Sequence, residues 1–341
     1  MKSSVEAVWQ NERQGRRKMV FWFALIIACA AFTLFVLCFW ITQPLFFTLG
    51  KQALQTSVSP ERLKTHVEKL SKEFVPRSAS FPENLDKVAY YIRQEFGAAG
   101  GKVSEQEFVA NGKTYRNVSA VFGMETKERI VIGAHYDSAG AFPAADDNAS
   151  GVAGLIELGF LLGKAELPVQ IELVAYTLEE PPFFRTEKMG SFVHAKSLKD
   201  KSIAVRLMVS LEMIGYFSDE PDSQSFPVSL LSLFYPTRGN YITIVGNLDN
   251  GWTIRRAKYS MSAATDLPVY SINAPVWVNG VDFSDHRNYW HFGYNAAMIT
   301  DTAFYRNPNY HTWQDTAEKL DYNRMAKVVA GVYQMTVDLA K

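Results

Sequence analysis

The first ordered pattern along the chain is an unbroken apolar run. Residues 19–41, MVFWFALIIACAAFTLFVLCFWI, carry no charge. As a helix rising about 1.5 Å per residue, such a run is long enough to cross a bilayer. Residues 42–58 then read as a partly apolar tether. SPERLKTHVEKLSKEF opens an amphipathic helix, with Ser59 as N-cap, Pro60 at its first position, and Leu63, Val67, Leu70 and Phe74 as its apolar stripe. A second amphipathic helix runs over about 82–96 and ends at Gly97. After Gly100–Gly101 the period changes. Strand-like runs fall near 102–110, 114–123, 129–136, 169–178, 205–211, 241–246 and 295–300. Helical patterns lie near 149–163, 190–199, 249–262 and 318–340. This alternation predicts an α/β fold, a three-layer sandwich around a central mixed, largely parallel sheet. IVIGAH and IELVAYTL are nearly continuous apolar strands, as expected where both faces of a sheet are covered. Nothing beyond about residue 60 reads as an interdomain linker, so residues 59–341 form one expected domain.

Charge changes the picture at the N-terminus. Arg13, Arg16, Arg17 and Lys18 precede the apolar run and only Lys51 follows closely, which places residues 1–18 in the cytoplasm, residues 19–41 across the membrane and the remainder on the extracytoplasmic side. A cleaved signal peptide has an apolar core of about 7–15 residues, shorter than this one. Lipid attachment at Cys29 does not fit a run that continues well past it. Over the whole chain, 35 Lys and Arg balance 35 Asp and Glu, so there is no electrostatic footprint for nucleic acid. Both cysteines, Cys29 and Cys38, lie in the span. Any metal in the outer domain therefore depends on His, Asp and Glu.

In open α/β sheets ligands bind beyond the carboxyl ends of the strands, and the unusual polar residues fall there. IVIGAHYDS leads into His135 and Asp137. Residues two apart on an extended backbone share a face, so Asp137 can hold one imidazole nitrogen and leave the other for a metal. Alone, the motif reads equally as a buried His–Asp pair. AADDNASG, residues 144–151, sets Asp146 beside Asp147 before an apolar helix. Capping, with Asn148 or Ser150 assisting, accounts for one carboxylate. Two in a low-dielectric site need a cation or a shared proton. VAYTLEE ends a strand with Glu179 and Glu180, either solvated charge or the base and ligand of a water-activating metal site. LMVSLEMIGYF places Glu212 in an apolar run, where a carboxylate needs a partner. NPNYHTWQDT carries His311 in a loop, an ordinary surface position if it stood alone. Jointly these are nitrogen and oxygen ligands suited to zinc. Two divalent cations nearly balance Asp147, Glu180, Glu212 and a hydroxide; one leaves a buried carboxylate uncompensated. His66 reads as a packed or exposed side chain, His286 is not assigned to metal, and His194 and His291 have no supporting motif.

Taken in order, GAHYDS, ADDNASGV, LEE, LEMIGY and NPNYHT make the chain resemble the co-catalytic di-zinc aminopeptidase family, over about residues 82–341. That family also contains the glutaminyl cyclases and the transferrin-receptor-like ectodomains. The resemblance implies a zinc-exopeptidase-like fold and two Zn²⁺ per chain. His135 and Glu212 would hold one ion, Glu180 and His311 the other. Asp147 would bridge them through a cis peptide to Asn148, with Asp146 part of that tight connection. Asp137 would orient His135, Glu179 would be the general base, and Tyr310 would stabilise the tetrahedral intermediate. Glu212 stands where many members have Asp. SDH at 284–286 also matches, with Ser284 read as a helix cap. Phe183, Phe184, Arg185 and residues 226–236 either shape a substrate pocket or form surface loops.

The expected activity is a membrane-anchored metallo-aminopeptidase acting on peptides with a free N-terminus. The alternative is a glutaminyl-peptide cyclase using a single zinc: HYDS and the lengthened segment after LEE lean that way, and DDNASG leans towards the peptidases. A non-enzymatic binding ectodomain would lose ligands, and this chain retains the set.

Overall fold

The apolar runs pair into one eight-stranded sheet in the computed structural model, which describes residues 2–44 and 58–341, with side chains from residue 9 onward. The expected tether at 42–58 thus lies mostly outside the described residues. The strands are β1 (Lys102–Ala110), β2 (Lys113–Phe122), β3 (Glu128–His135), β4 (Gln170–Tyr176), β5 (Ala204–Glu212), β6 (Ile242–Gly246), β7 (Val269–Asn273) and β8 (Ala296–Thr300), in the order β1-β2-β4-β3-β5-β8-β6-β7. β3 pairs in parallel with β4 and β5, β5 with β8, and β6 with β7. The β1–β2, β2–β4 and β6–β8 pairs are antiparallel. β3, β4, β5 and β8 therefore deliver their C-terminal ends to the same edge, where their exit loops meet.

Alternation within the central strands explains their apolar continuity. Ile130 and Ile132 of β3, Leu173 and Ala175 of β4, and Leu207, Val209 and Leu211 of β5 enter one core. Val131, Val174, Tyr176 and Met208 enter a second core on the opposite face. The first face is covered by α2 (Pro60–Glu68), α3 (Pro82–Ala98), α4 (Gly151–Leu162), α6 (Gly251–Ala264) and α8 (Tyr322–Ala340); the second carries α5 (Gly190–Asp200) and α7 (His286–His291). The result is the expected three-layer sandwich. Ser59 caps α2, its side chain accepting from the Arg62 amide.

Two elements differ from the sequence expectation. β7 is an edge strand whose burial alternates, so it lacks the unbroken apolar run that marks the equally short β6 and β8, and α7 spans six residues, too few for a helical period to stand out. The apolar run belongs to α1 (Lys2–Thr42), a helix long and apolar enough to cross a membrane by length and composition. Its last turns pack against β7.

Candidate metal centre

Each candidate residue sits at the exit of a central strand or in the turn that faces it. His135 and Glu212 are the last residues of β3 and β5, Glu179 and Glu180 follow β4, and His311 lies in the loop between β8 and α8. Asp147 occupies an irregular turn, Ala145–Ser150, that leads into α4. The Asp147–Asn148 peptide is cis. Asn148, rather than Asp147, caps α4: its Oδ1 accepts from the Gly151 and Met213 amides. A Cβ on Gly151 would stand 2.3 Å from Asn148 Oδ1 and 2.5 Å from the Leu211 carbonyl, so glycine is needed where the turn closes on β5.

The capping role thus falls elsewhere and frees the Asp147 carboxylate. Its Oδ1 lies 3.3 Å from His135 Nε2 and its Oδ2 3.0 Å from His311 Nε2. Glu212 Oε1 stands 3.4 Å from His135 Nε2, and Glu180 Oε1 3.2 Å from His311 Nε2. Two ligand groups result, His135–Asp147–Glu212 and Asp147–Glu180–His311, joined by one carboxylate. Glu179 forms a third group with His135 and Glu180. His135 Nδ1 bonds the Asp137 carbonyl at 3.1 Å, while the Asp137 carboxylate is 3.6 Å away. That carboxylate instead accepts the amides of Glu179 and Glu180, both at 3.1 Å, so Asp137 holds the turn that presents the glutamates.

Asp146 has a different office from its neighbour. Its oxygens accept the Gly215 amide and Asn307 Nδ2, tying the turn to the β5 exit and to the His311 loop. Asp315 and Arg77 escaped the sequence reading because their partners are distant in the chain. The Asp315 carboxylate receives the amides of Asp146 and Asp147. The buried Arg77 guanidinium donates to the carbonyls of Leu70, Tyr136, Pro143 and Ala144, bracing the loop between β3 and the turn. Ser284 is not a helix cap. Its Oγ donates to Glu212 Oε2 at 2.7 Å and bonds Ser210 Oγ at 2.6 Å; the residue at the α7 boundary is Asp285, which makes no side-chain cap bond.

Several non-glycine residues beside these groups have positive φ: Leu178 (60°) before Glu179, Met213 (50°) after Glu212, and His311 itself (55°). Left-handed backbone is costly for branched or bulky side chains, so surrounding contacts hold these turns in place.

The charge state follows from burial. Burial disfavours the charged form of His135, but Glu212, Asp137 and Asp147 outweigh it and raise the imidazole well above its ordinary value. At His311, burial is likewise overcome by Asp147 and Glu180, lifting the ring to about 10. Burial alone would raise Asp147; its bonds to the two imidazoles hold it below the usual carboxylate range. Burial pushes Glu180 up to about 7, with Asp147 repelling it and His311 opposing. Burial also pushes Glu179 well above the carboxylate range; His135 pulls it back, and Glu180 and Glu212 push it further. Without an ion, protons on the imidazoles supply the positive charge the carboxylates require. Metal ligands release such protons on binding. Imidazole and carboxylate donors, buried except for the partly exposed His311, in two groups sharing one Asp fit zinc.

Beside Glu212 and Tyr310 opens a half-open apolar cavity, lined also by Phe226, Leu231, Tyr235, Ile272, Val278 and Met298. The 226–236 segment therefore walls a pocket. Phe183 does not: it is buried against Tyr115, ring centroids 6.2 Å apart. Arg185 pairs with Asp282 at 2.6 Å, and Phe184 reaches the cavity only through Phe283. Tyr310 stacks on His311 with centroids 3.8 Å apart.

Residues 117–336 match peptidase family M28. The uncharacterized protein YfbL of Escherichia coli K12 is 46% identical over 282 residues, covering 80% of this chain and 86% of that protein. BSAP, a zinc aminopeptidase from Bacillus subtilis, superposes with a TM-score of 0.67 at 14% identity, over 84% of this chain and 96% of that one. A Bacteroides thetaiotaomicron glutaminyl cyclase superposes with a TM-score of 0.62 at 17% identity, over 83% and 99% respectively. At those identities the likeness is one of fold, shared by both chemistries.

Proposed function

The chain belongs to peptidase family M28, and from that membership and the arrangement around Asp147 we propose that it is a membrane-anchored, di-zinc aminopeptidase. A single observation carries the reading: one buried carboxylate directs one oxygen to each of two imidazoles, at 3.3 and 3.0 Å. His135 and Glu212 would hold one zinc and Glu180 and His311 the other, with Asp147 shared between the two groups. Bound there, the metal would supply Lewis acidity for a water and for the scissile carbonyl. Glu179, presented by the Asp137-held turn, takes the proton of that water and delivers it to the leaving amine. The Tyr310 hydroxyl bonds the developing oxyanion. The apolar cavity receives the side chain of the first residue, so unbranched and branched aliphatic N-termini are preferred over charged ones. Residues 59–341 act as the catalytic domain outside the membrane, α1 as its anchor, and residues 1–18 as the cytoplasmic tail.

The shared Asp147 favours two ions over the single ion of the cyclase alternative. The test is metal counting on purified full-length protein, beside assays for release of N-terminal leucine and for cyclisation of an N-terminal glutaminyl peptide. Near two zincs with leucine release supports the peptidase. Near one zinc with cyclisation overturns it in favour of the cyclase.

Ser284 offers a finer check. Its hydroxyl holds the outer oxygen of Glu212, which has a longer arm than Asp and so more freedom to swing. Ser284→Ala is expected to weaken retention of one zinc about 10–100-fold, the usual cost of losing a partner behind a ligand. Competition with a fluorescent chelator measures it; unchanged retention of both ions removes Ser284 from this role.

A further inference from the structure

The outer end of α1 is fastened to the domain. Lys258 Nζ donates to the Thr42 and Gln43 carbonyls at 3.1 and 3.0 Å, Ser271 Oγ to the Thr42 carbonyl at 3.0 Å, and Arg255 to the Pro44 carbonyl. Trp40 Nε1 donates to the Leu248 carbonyl at 2.9 Å, and its ring meets that of Trp252 edge-on at 6.0 Å. Trp40 is the penultimate residue of the apolar run, near the end where indoles sit at the level of lipid headgroups. Its neighbours Leu248 and Trp252 share that level, and both are exposed, by 42% and 63%.

A second apolar group flanks the same root. Tyr235 donates its hydroxyl to the Ser271 carbonyl at 2.7 Å, so Ser271 joins the 226–236 segment to Thr42. From this anchor the uncharged stretch FPVSLLSLFYP turns Leu231 and Tyr235 into the cavity. Phe226 lines the cavity as well, whereas four apolar residues of the segment face outward: Val228 is 49% exposed, Leu230 61%, Leu233 74% and Phe234 48%. Exposed apolar side chains gathered on one surface mark an interaction site, and those beside a membrane span have lipid within reach.

We propose that Leu230, Leu233 and Phe234, with Leu248 and Trp252, form a collar around the root of α1 that rests in the headgroup and upper acyl region of the bilayer. This seats the domain on the membrane and makes one segment both a lipid contact and a wall of the apolar cavity. A peptide lying on the membrane thereby reaches the cavity without crossing open solvent. The proposal rests on the reading of α1 as a membrane span.

Full-length protein carrying Cys29→Ser and Cys38→Ser is the starting point. Single cysteines are introduced by Leu230→Cys, Leu233→Cys or Trp252→Cys, labelled with an environment-sensitive fluorophore, and reconstituted in phosphatidylethanolamine–phosphatidylglycerol vesicles containing spin-labelled lipid. Phe32→Cys reports on the span, and Met124→Cys, at the exit of β2 far across the sheet from β7, reports on the solvent-facing side. Labels at 230, 233 and 252 are expected to shift to the blue and lose most of their emission to the lipid quencher, as the label at 32 does, while 124 stays bright. If 32 is quenched and the other three match 124, the collar is refuted and the span stands. If the three are shielded from aqueous iodide without lipid quenching, protein covers them and the collar is likewise refuted. If 32 escapes the quencher, the span falls and the collar with it.

Discussion

Glu179→Gln is expected to lower kcat about 10²–10⁴-fold, the range that a positioned general base contributes, while both zinc ions stay bound. The substitution keeps the size of the side chain and removes its ability to accept and return a proton. It leaves the Glu179 amide on Asp137 Oδ1 and the Glu180 amide on Oδ2, so the turn that presents Glu180 is undisturbed. Glu180→Gln provides the contrast. Glu180 Oε1 faces His311 Nε2 at 3.2 Å within the Asp147 group, so its replacement is expected to release metal and to lose activity for that reason. Two adjacent glutamates therefore separate by readout: turnover falls with full metal content at one, and metal content itself falls at the other. Single-turnover kinetics with metal analysis on the same samples measures both. Wild-type turnover in Glu179→Gln would remove Glu179 as the base.

The difference between adjacent residues also explains how much of the molecule the chain displays. β3, β4, β5 and β8 are legible because covered parallel strands are apolar on both faces, a pattern that survives without partners. β7 is not, since it lies at the sheet edge and is fully buried only at alternate positions, and neither is α7, whose six residues span too little of the helical period. The ligand candidates are legible because a carboxylate or imidazole at the end of an apolar strand is conspicuous. The residues that hold them are not. Arg77 acts on carbonyls from residues 70 to 144, Asp315 on amides at 146 and 147, and Ser284 on Glu212. Each does so through space, using side chains that are common elsewhere on surfaces and at helix ends. Ser284 shows the consequence: a serine before a short helix suggests a cap, and its hydroxyl in fact turns to the sheet. The positive φ at Leu178 and Met213 is equally hidden, because neither residue type advertises a left-handed turn.

Asp147→Asn is expected to leave at most one zinc per chain and to abolish peptide hydrolysis, with the fold retained. An amide offers one acceptor oxygen where the carboxylate offers two. Whichever way Asn is turned, its NH₂ group replaces the oxygen now facing His135 or His311, at 3.3 or 3.0 Å. One ligand group loses a charged donor and gains a donor proton aimed at the metal position. The backbone is spared, since the Asp147 amide bonds Asp315 and the side chain makes no bond that closes the turn. Its neighbour behaves in the opposite way. Asp146→Ala leaves the Gly215 amide and Asn307 Nδ2 without their acceptor in a buried setting, at a cost of about 1–3 kcal/mol for each stranded donor. Calorimetry and metal analysis on both variants decide the matter. With all samples stripped of metal before melting, so that bound zinc adds nothing to stability, an unchanged melting temperature is expected for Asp147→Asn and a lowered one for Asp146→Ala; on reloading, Asp147→Asn is the variant that fails to recover its zinc. Two bound zincs in Asp147→Asn would show that the carboxylate does not join the sites, and the two-metal reading would fall with it.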